Sequence, residues 1–188
     1  EILSNSIDEA REGFGNIIYV TVYNDNSIEI EDFGRGVPLG YNEKEQRFNW
    51  ELVFCELYAG GKYDNNSKDS AYEFSLGLNG LGATATQYSS EYFDAEIYRD
   101  GFRYELHFKK GKPVGKKGQE LLKEASDRKK TGSRFKWKPD IEVFKNEEDR
   151  RKGLQGIEHL PIDEGALFVW EEEGTREMWM KDTKIPLD

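Results

Sequence analysis

The sequence predicts an α+β sandwich, a mixed or antiparallel sheet with helices on one face. Three observations predict it: an amphipathic opening segment, two stretches with the alternation and turn residues of β-hairpins, and two short helical runs that each adjoin a glycine cluster. Placed on a helix at about 100° per residue, Leu3, Ile7, Ala10 and Phe14 share one arc, whereas Glu1, Asn5, Asp8, Glu9 and Glu12 fall opposite. One face is therefore core, and the other is chemistry or an ordinary acidic solvated face.

The remaining elements follow in order. Asn16 to Tyr23 is β-branched and aromatic, Asn24 to Asn26 make a turn, and Ser27 to Glu31 form a second strand, which puts Asp32 at a strand end. Trp50 to Tyr58 has helical spacing and is expected to stop at Ala59-Gly60-Gly61. Lys62 to Ala71 is polar and reads as a loop, and Gly82 to Tyr88 as a short helix entered from glycine. Glu91 to Tyr98 and Phe102 to Lys109 alternate around Asp100-Gly101, a hairpin signal. After a basic connection, Ser133 to Lys138 is another strand, closed by Pro139.

Composition excludes several function classes. The chain has 188 residues, 36% apolar and 13% aromatic, enough for one core. No run approaches the roughly 18 apolar residues of a membrane span, so no membrane partner and a cytoplasmic location are expected. With Cys55 the only cysteine and His107 and His159 the only histidines, a thiolate or zinc centre is not expected, and any metal should be a hard cation on oxygen. The net charge of −10 argues against nucleic acid as the main partner, yet Lys109 to Lys138 holds twelve Lys or Arg against three acids. That basic stretch is either a solvated loop or a contact for DNA or an acidic protein partner.

Candidate chemistry is that of a nucleotide site. A buried carboxylate at a strand end, Asp32, can accept from the 6-amino group of adenine, and Gly34 and Gly36 let backbone approach the base. Gly77, Gly80 and Gly82, ahead of the Ala83 to Tyr88 helix, can offer backbone N–H groups to phosphates, although such a cluster is equally an ordinary tight turn. No Walker A string occurs. The Asn5 amide oxygen plus phosphate oxygens would suffice for Mg²⁺, and Glu1, one turn earlier, could polarise an attacking water. Singly, Asn5 is also a plain surface polar residue and Glu1 a plain charge near a helix start.

Together the ordered elements E-x-x-x-N-S-x-D-E-A, D-F-G-R-G-V-P, A-G-G-K-Y, S-L-G-L-N-G-L-G and T-G-S-R-F-K-W-K-P-D resemble the GHKL ATPases, and within them the ATPase domain of the gyrase B-like component of type IIA topoisomerases. The A-G-G-K and T-G-S elements separate this from other GHKL proteins. The resemblance covers residues 1 to about 144 and implies a GHKL (Bergerat) two-layer sandwich that binds ATP and Mg²⁺. It implies Glu1 as general base, Asn5 as Mg²⁺ ligand, Asp32 as adenine-reading carboxylate, and Arg35 beside the adenine pocket paired with Glu9. Lys62 and Tyr72 match lid residues that reach the phosphates and the base. Gly77, Leu78, Asn79, Gly80, Leu81 and Gly82 match the phosphate loop, with Asn79 where many relatives carry His. Ser133 matches the hydroxyl sharing the adenine-site water, and Ile2, Ser6, Ile30, Val37 and Pro38 match pocket-wall positions.

In the intact relative, ATP closes a dimer gate and hydrolysis resets it, with DNA and a topoisomerase A subunit as partners. An arm before Glu1 and a lysine from a following transducer domain belong to that pattern and are not among these residues. A monomer that does not hold DNA tightly is therefore expected. An α-amino group on Glu1 would weaken it as a base, so ATP binding is better supported than turnover. The alternatives are an ATP-binding module without turnover and a non-enzymatic interaction scaffold.

The tail departs from this pattern. D-E-G-A-L-F-V-W and R-E-M-W-M-K-D-T-K-I-P-L-D resemble a small β domain of unknown function with an F-W-M-K-N-T-x-I-P-L-D signature. The chain thus reads as a junction of two families, 1–144 and 145–188, with the seam near Pro139 to Lys145. Phe168, Trp170, Met178, Trp179 and Met180 are expected as core of a strand pair, covering a sheet face that a missing helix leaves apolar.

Overall fold

The computed structural model describes residues 1–23, 25–58 and 81–144, together with the backbone of three further strands at 167–172, 175–180 and 183–185. The opening helix, α1 (Ile2–Arg11), buries Ile2, Leu3 and Ile7. It ends because Gly13 takes φ +87 while its N–H bonds Ala10 O at 3.0 Å and the Phe14 N–H bonds Glu9 O at 3.1 Å, a Schellman close. That turn takes Phe14 out of helical phase, so it is exposed rather than core, contrary to the periodicity.

β1 (Ile17–Val22) and β2 (Ile28–Asp32) form the expected hairpin, followed by the two-residue strands β3 (Tyr41–Asn42) and β4 (Arg47–Phe48). Helix α2 (Asn49–Cys55) stops at Glu56, whose backbone is extended, three residues short of the expected glycine end; Ala59 to Gly61 lie outside the described residues. Helix α3 (Gly82–Tyr88) leads into β5 (Ser90–Arg99) and β6 (Phe102–Lys109), joined through Asp100 (φ +56) and Gly101 (φ +81), the geometry of a type I′ turn. The basic connection is more structured than a loop. It contains β7 (Lys112–Pro113) and β8 (Leu122–Ala125), which pair with opposite ends of β6, before β9 (Gly132–Pro139).

Among the described residues, β10 (Leu167–Glu172), β11 (Thr175–Met180) and β12 (Thr183–Ile185) complete a ten-stranded sheet of order β12-β11-β10-β1-β2-β9-β5-β6-β7, with β8 also on β6. Only β1 and β10 pair in parallel; the other described pairs are antiparallel. Alternation assigns the two faces. Ile18, Val20, Ile30, Phe93, Ala95, Ile97, Leu106, Phe108 and Phe135 pack with Trp50, Leu52, Val53 and Phe54 of α2 and the apolar side of α1. The rings of Phe54, Phe93, Phe108 and Phe135 lie with centroids 5.4 to 6.3 Å apart at its centre.

The opposite face carries Glu29, Glu31, Asp94, Glu96, Arg103, Glu105, Arg134 and Lys136, with Arg103 and Arg134 both paired to Glu96. The expectation of an apolar face needing a cover is therefore corrected: that face is polar. The tail strands extend the sheet in its own plane from the β1 edge instead of lying across it.

Candidate functional site

The site forms where α1, the end of β2 and the start of β9 converge. Asp32, 8% exposed, is held by three donors: Ser6 Oγ to Oδ2 at 2.8 Å, the Gly34 N–H to Oδ1 at 3.1 Å and the Ser133 N–H to Oδ1 at 3.2 Å. A carboxylate has about four acceptor positions, so one on Oδ2 is left for a donor in the adjoining cleft. Burial pushes the Asp32 carboxyl above the ordinary carboxylate range, the hydrogen bonds from Ser6, Gly34 and Ser133 oppose that, and nearby Glu9 reinforces it.

Ser133 binds twice, since its Oγ also accepts from the Val37 N–H at 3.3 Å. Gly36 needs its lack of a side chain: φ is +80, and a Cβ would fall 2.6 Å from Tyr98 O. Gly34 packs flat on the Glu9 side chain, and a Cβ there would overlap it.

Glu9 is 7% exposed, so it is not on a solvated face. Its carboxylate accepts from the Arg35 N–H (2.9 Å), Nε (2.7 Å) and Nη2 (3.0 Å), and Arg35 lies 3.9 Å over the Phe14 ring. The exposed position of Phe14 thus has a local role that helical phase did not reveal. Arg99 is another residue that sequence reasoning missed: its Nη1 donates to Gly36 O at 2.7 Å, across 63 positions, with no local pattern to signal it. Beyond Arg35 the cleft continues into a recess bounded by Phe14, Phe33, Arg99, Asp100 and Thr131.

The cleft itself is lined by Ile2, Asn5, Ser6, Glu9, Asp32, Gly36, Val37 and Ser133 from the expected set, and by Val53, Phe54, Ala83 and Phe135, which periodicity had marked only as helix or strand positions. Ile30 is core and Pro38 is buried beside Val37. Asn5 is half-buried and makes no side-chain hydrogen bond among the described residues. Glu1 caps α1 from an exposed position, with its Cβ and Oε2 each 2.5 Å from where a Cβ on Gly82 would stand. Leu81 and Gly82 open α3 next to it. Lys62, Tyr72, Gly77, Leu78, Asn79 and Gly80 lie outside the described residues.

This fold and this carboxylate-and-glycine site are those of the GHKL ATPase class, and the comparisons with known proteins agree. The chain is 39% identical over 148 residues to the B subunit of the Aquifex aeolicus type 2 topoisomerase, and 42% identical over 145 residues to the B subunit of Staphylococcus aureus DNA topoisomerase 4. Those alignments cover 79% and 77% of this chain but 18% and 20% of the relatives, so the chain spans about a fifth of their length.

Among solved structures, the topoisomerase IV ATP-binding domain of Francisella tularensis, in complex with a small-molecule inhibitor, superposes with a TM-score of 0.70 at 24% identity, covering 95% of this chain and 83% of that one. The 43K ATPase domain of Thermus thermophilus gyrase B, in complex with an aminocoumarin, gives 0.68 at 26%, covering 96% and 44%. The homologues and structural neighbours are thus GHKL ATPase domains from the B subunits of type II topoisomerases. Residues 128–188 also match the DUF192 family, an uncharacterized ACR. That match starts at Arg128, eleven positions before Pro139, and so takes in β9 and Ser133.

Proposed function

We propose that this chain binds ATP with Mg²⁺, and that residues 1–144 form the nucleotide-binding domain and 145–188 a β-rich addition. The observation that carries the reading is Asp32: buried, fixed by three donors, and keeping one acceptor position toward a cleft with apolar walls. The 6-amino group of adenine is a donor and fits that position, whereas guanine presents an acceptor there. Asn5 is the residue that would hold Mg²⁺, since its amide oxygen is a hard ligand with no competing hydrogen bond among the described residues. When bound, the ion neutralises phosphate charge. Leu81 and Gly82, with Gly77 to Gly80 ahead of them, would face the phosphates, and Lys62 and Tyr72 would complete the lid.

For hydrolysis, Glu1 would take a proton from water as its oxygen attacks the γ-phosphorus and ADP leaves. In the longer protein this would serve a DNA topoisomerase acting with an A subunit in the cytoplasm, which the names of the relatives support. One observation favours nucleotide capture without turnover by this chain alone: no hydrogen bond among the described residues orients the Glu1 carboxylate. Paired titrations test the binding. A non-hydrolysable ATP analogue with Mg²⁺ should bind at least about 100-fold more tightly than its GTP counterpart, and equal affinities would refute the adenine reading. Phosphate release by the parent and by Glu1→Gln then separates turnover from capture.

A further inference from the structure

We propose that the sheet edge at β6–β7, with the loop that follows it, is a contact surface for the phosphates of duplex DNA. The proposal rests on the DNA-facing part of the preceding reading and not on the nucleotide site. Strand register sets up a cationic row. Lys112 stands opposite Lys109, Lys109 opposite Tyr92, and Tyr92 opposite Lys138. Because Phe108, Phe93 and Trp137 take the adjacent core-facing positions, the row lies on the polar face, and with strands roughly 4.8 Å apart it runs about 14 Å.

Like charges placed directly opposite on neighbouring strands weaken a sheet. Lys109 and Lys112 are such a pair, flanking a tight turn at Lys110 (φ +46) and Gly111 (φ +78). Lys110 is turned to Asp140 and Glu142, at 3.7 and 3.0 Å, and contributes little to the row. Lys138 has Asp25 and Glu91 only at 3.9 and 4.0 Å. Lys116 and Lys117 extend the patch, exposed between Gly115 and Gly118. No acid lies within ion-pair distance of Lys109, Lys112, Lys116 or Lys117 among the described residues, in a chain whose net charge is −10.

The repulsion thus persists where a neutral residue would relieve it, and an external polyanion would compensate it. A protein interface would need an apolar centre, and this patch exposes only Val114 as a large apolar side chain. Point-charge cations on a rigid edge suit phosphates instead.

The test is fluorescence anisotropy of a labelled duplex of about 25 base pairs with the full chain, in a salt series from about 50 to 200 mM. The Lys109→Gln/Lys112→Gln variant should lower the magnitude of the log–log salt slope by about 0.9 per lysine, while Lys44→Gln, in the β3–β4 turn, should leave it unchanged. All these positions are exposed, so matching melting curves confirm intact folds. Absence of duplex binding at low salt, an unchanged slope in the double variant, or equally tight binding of labelled polyglutamate would each overturn the proposal. Loss of ATP-analogue binding with retained duplex binding would count only against the nucleotide reading.

Discussion

Ser133 and Asp32 are 101 residues apart in sequence, and the backbone N–H of the first donates to the carboxylate of the second at 3.2 Å, so the site exists only when β9 is zipped against β2. The same serine receives the Val37 N–H on its hydroxyl. Ser133→Ala keeps the first bond and leaves a buried N–H without its acceptor. A loss of about 1 to 3 kcal/mol in urea unfolding is expected, and an unchanged midpoint would show that the Ser133 hydroxyl does not brace Val37.

Glu9 and Arg35 form a nearly buried pair, with side chains 9% and 13% exposed. Removing one partner leaves the other charge desolvated, so Glu9→Ala should destabilise by about 3 kcal/mol. Arg11→Ala, whose partner Asp8 lies 4.0 Å away on the exposed face of α1, should change stability by less than about 0.5 kcal/mol. Equal effects in thermal unfolding would contradict the burial argument.

Gly36→Ala places a methyl 2.6 Å from Tyr98 O at φ +80. The strain should cost about 2 kcal/mol or more and weaken nucleotide binding by moving Val37. Gly118→Ala shares the positive φ but meets no neighbour within 4 Å, so it should be milder. The two variants compared by denaturant midpoint separate backbone strain from collision.

The pH dependence follows from Asp32. Its folded pKa is raised, chiefly by burial, so the folded state binds the proton more strongly than the unfolded chain. Its contribution to stability is fully present below the ordinary value of 3.8 and is lost as pH rises through the raised value. Asp32→Asn should therefore be more stable than the parent at neutral pH, with the gap closing as pH falls toward 3.8. A variant less stable than the parent at pH 7 would mean that the three hydrogen bonds outweigh desolvation.

The β10 strand covers the β1 edge through six parallel register positions, Ile17 to Val22 against Leu167 to Glu172. Deleting residues 145–188 bares that edge. The melting temperature should fall by at least about 4 °C, and an unaltered value would show that the added strands carry no stability.

Much of this architecture was legible locally. The β1–β2 and β5–β6 hairpins follow from alternation and from Asp100-Gly101, and Asp32 at a strand end follows from where the β-branched run stops. What failed were features set by distant groups. Phe14 left the core because Gly13 ends the helix, and it found Arg35 from a loop beyond the hairpin. Cys55 ends α2 before any glycine, and the short strands β7 and β8 form only because β6 offers a free edge. Arg99 reaches Gly36 through tertiary geometry that no spacing encodes. The tail strands were expected as a cover because sheet faces usually need one, but the charged residues on alternate positions had already made that face polar.

The central claim is that Asp32 reads the base, and calorimetric titration of a non-hydrolysable ATP analogue with Mg²⁺ into the parent and into Asp32→Asn tests it most directly. Saturable heat from the parent and none from the variant is the predicted result, while equal binding by both, or no binding by a folded parent, would contradict it.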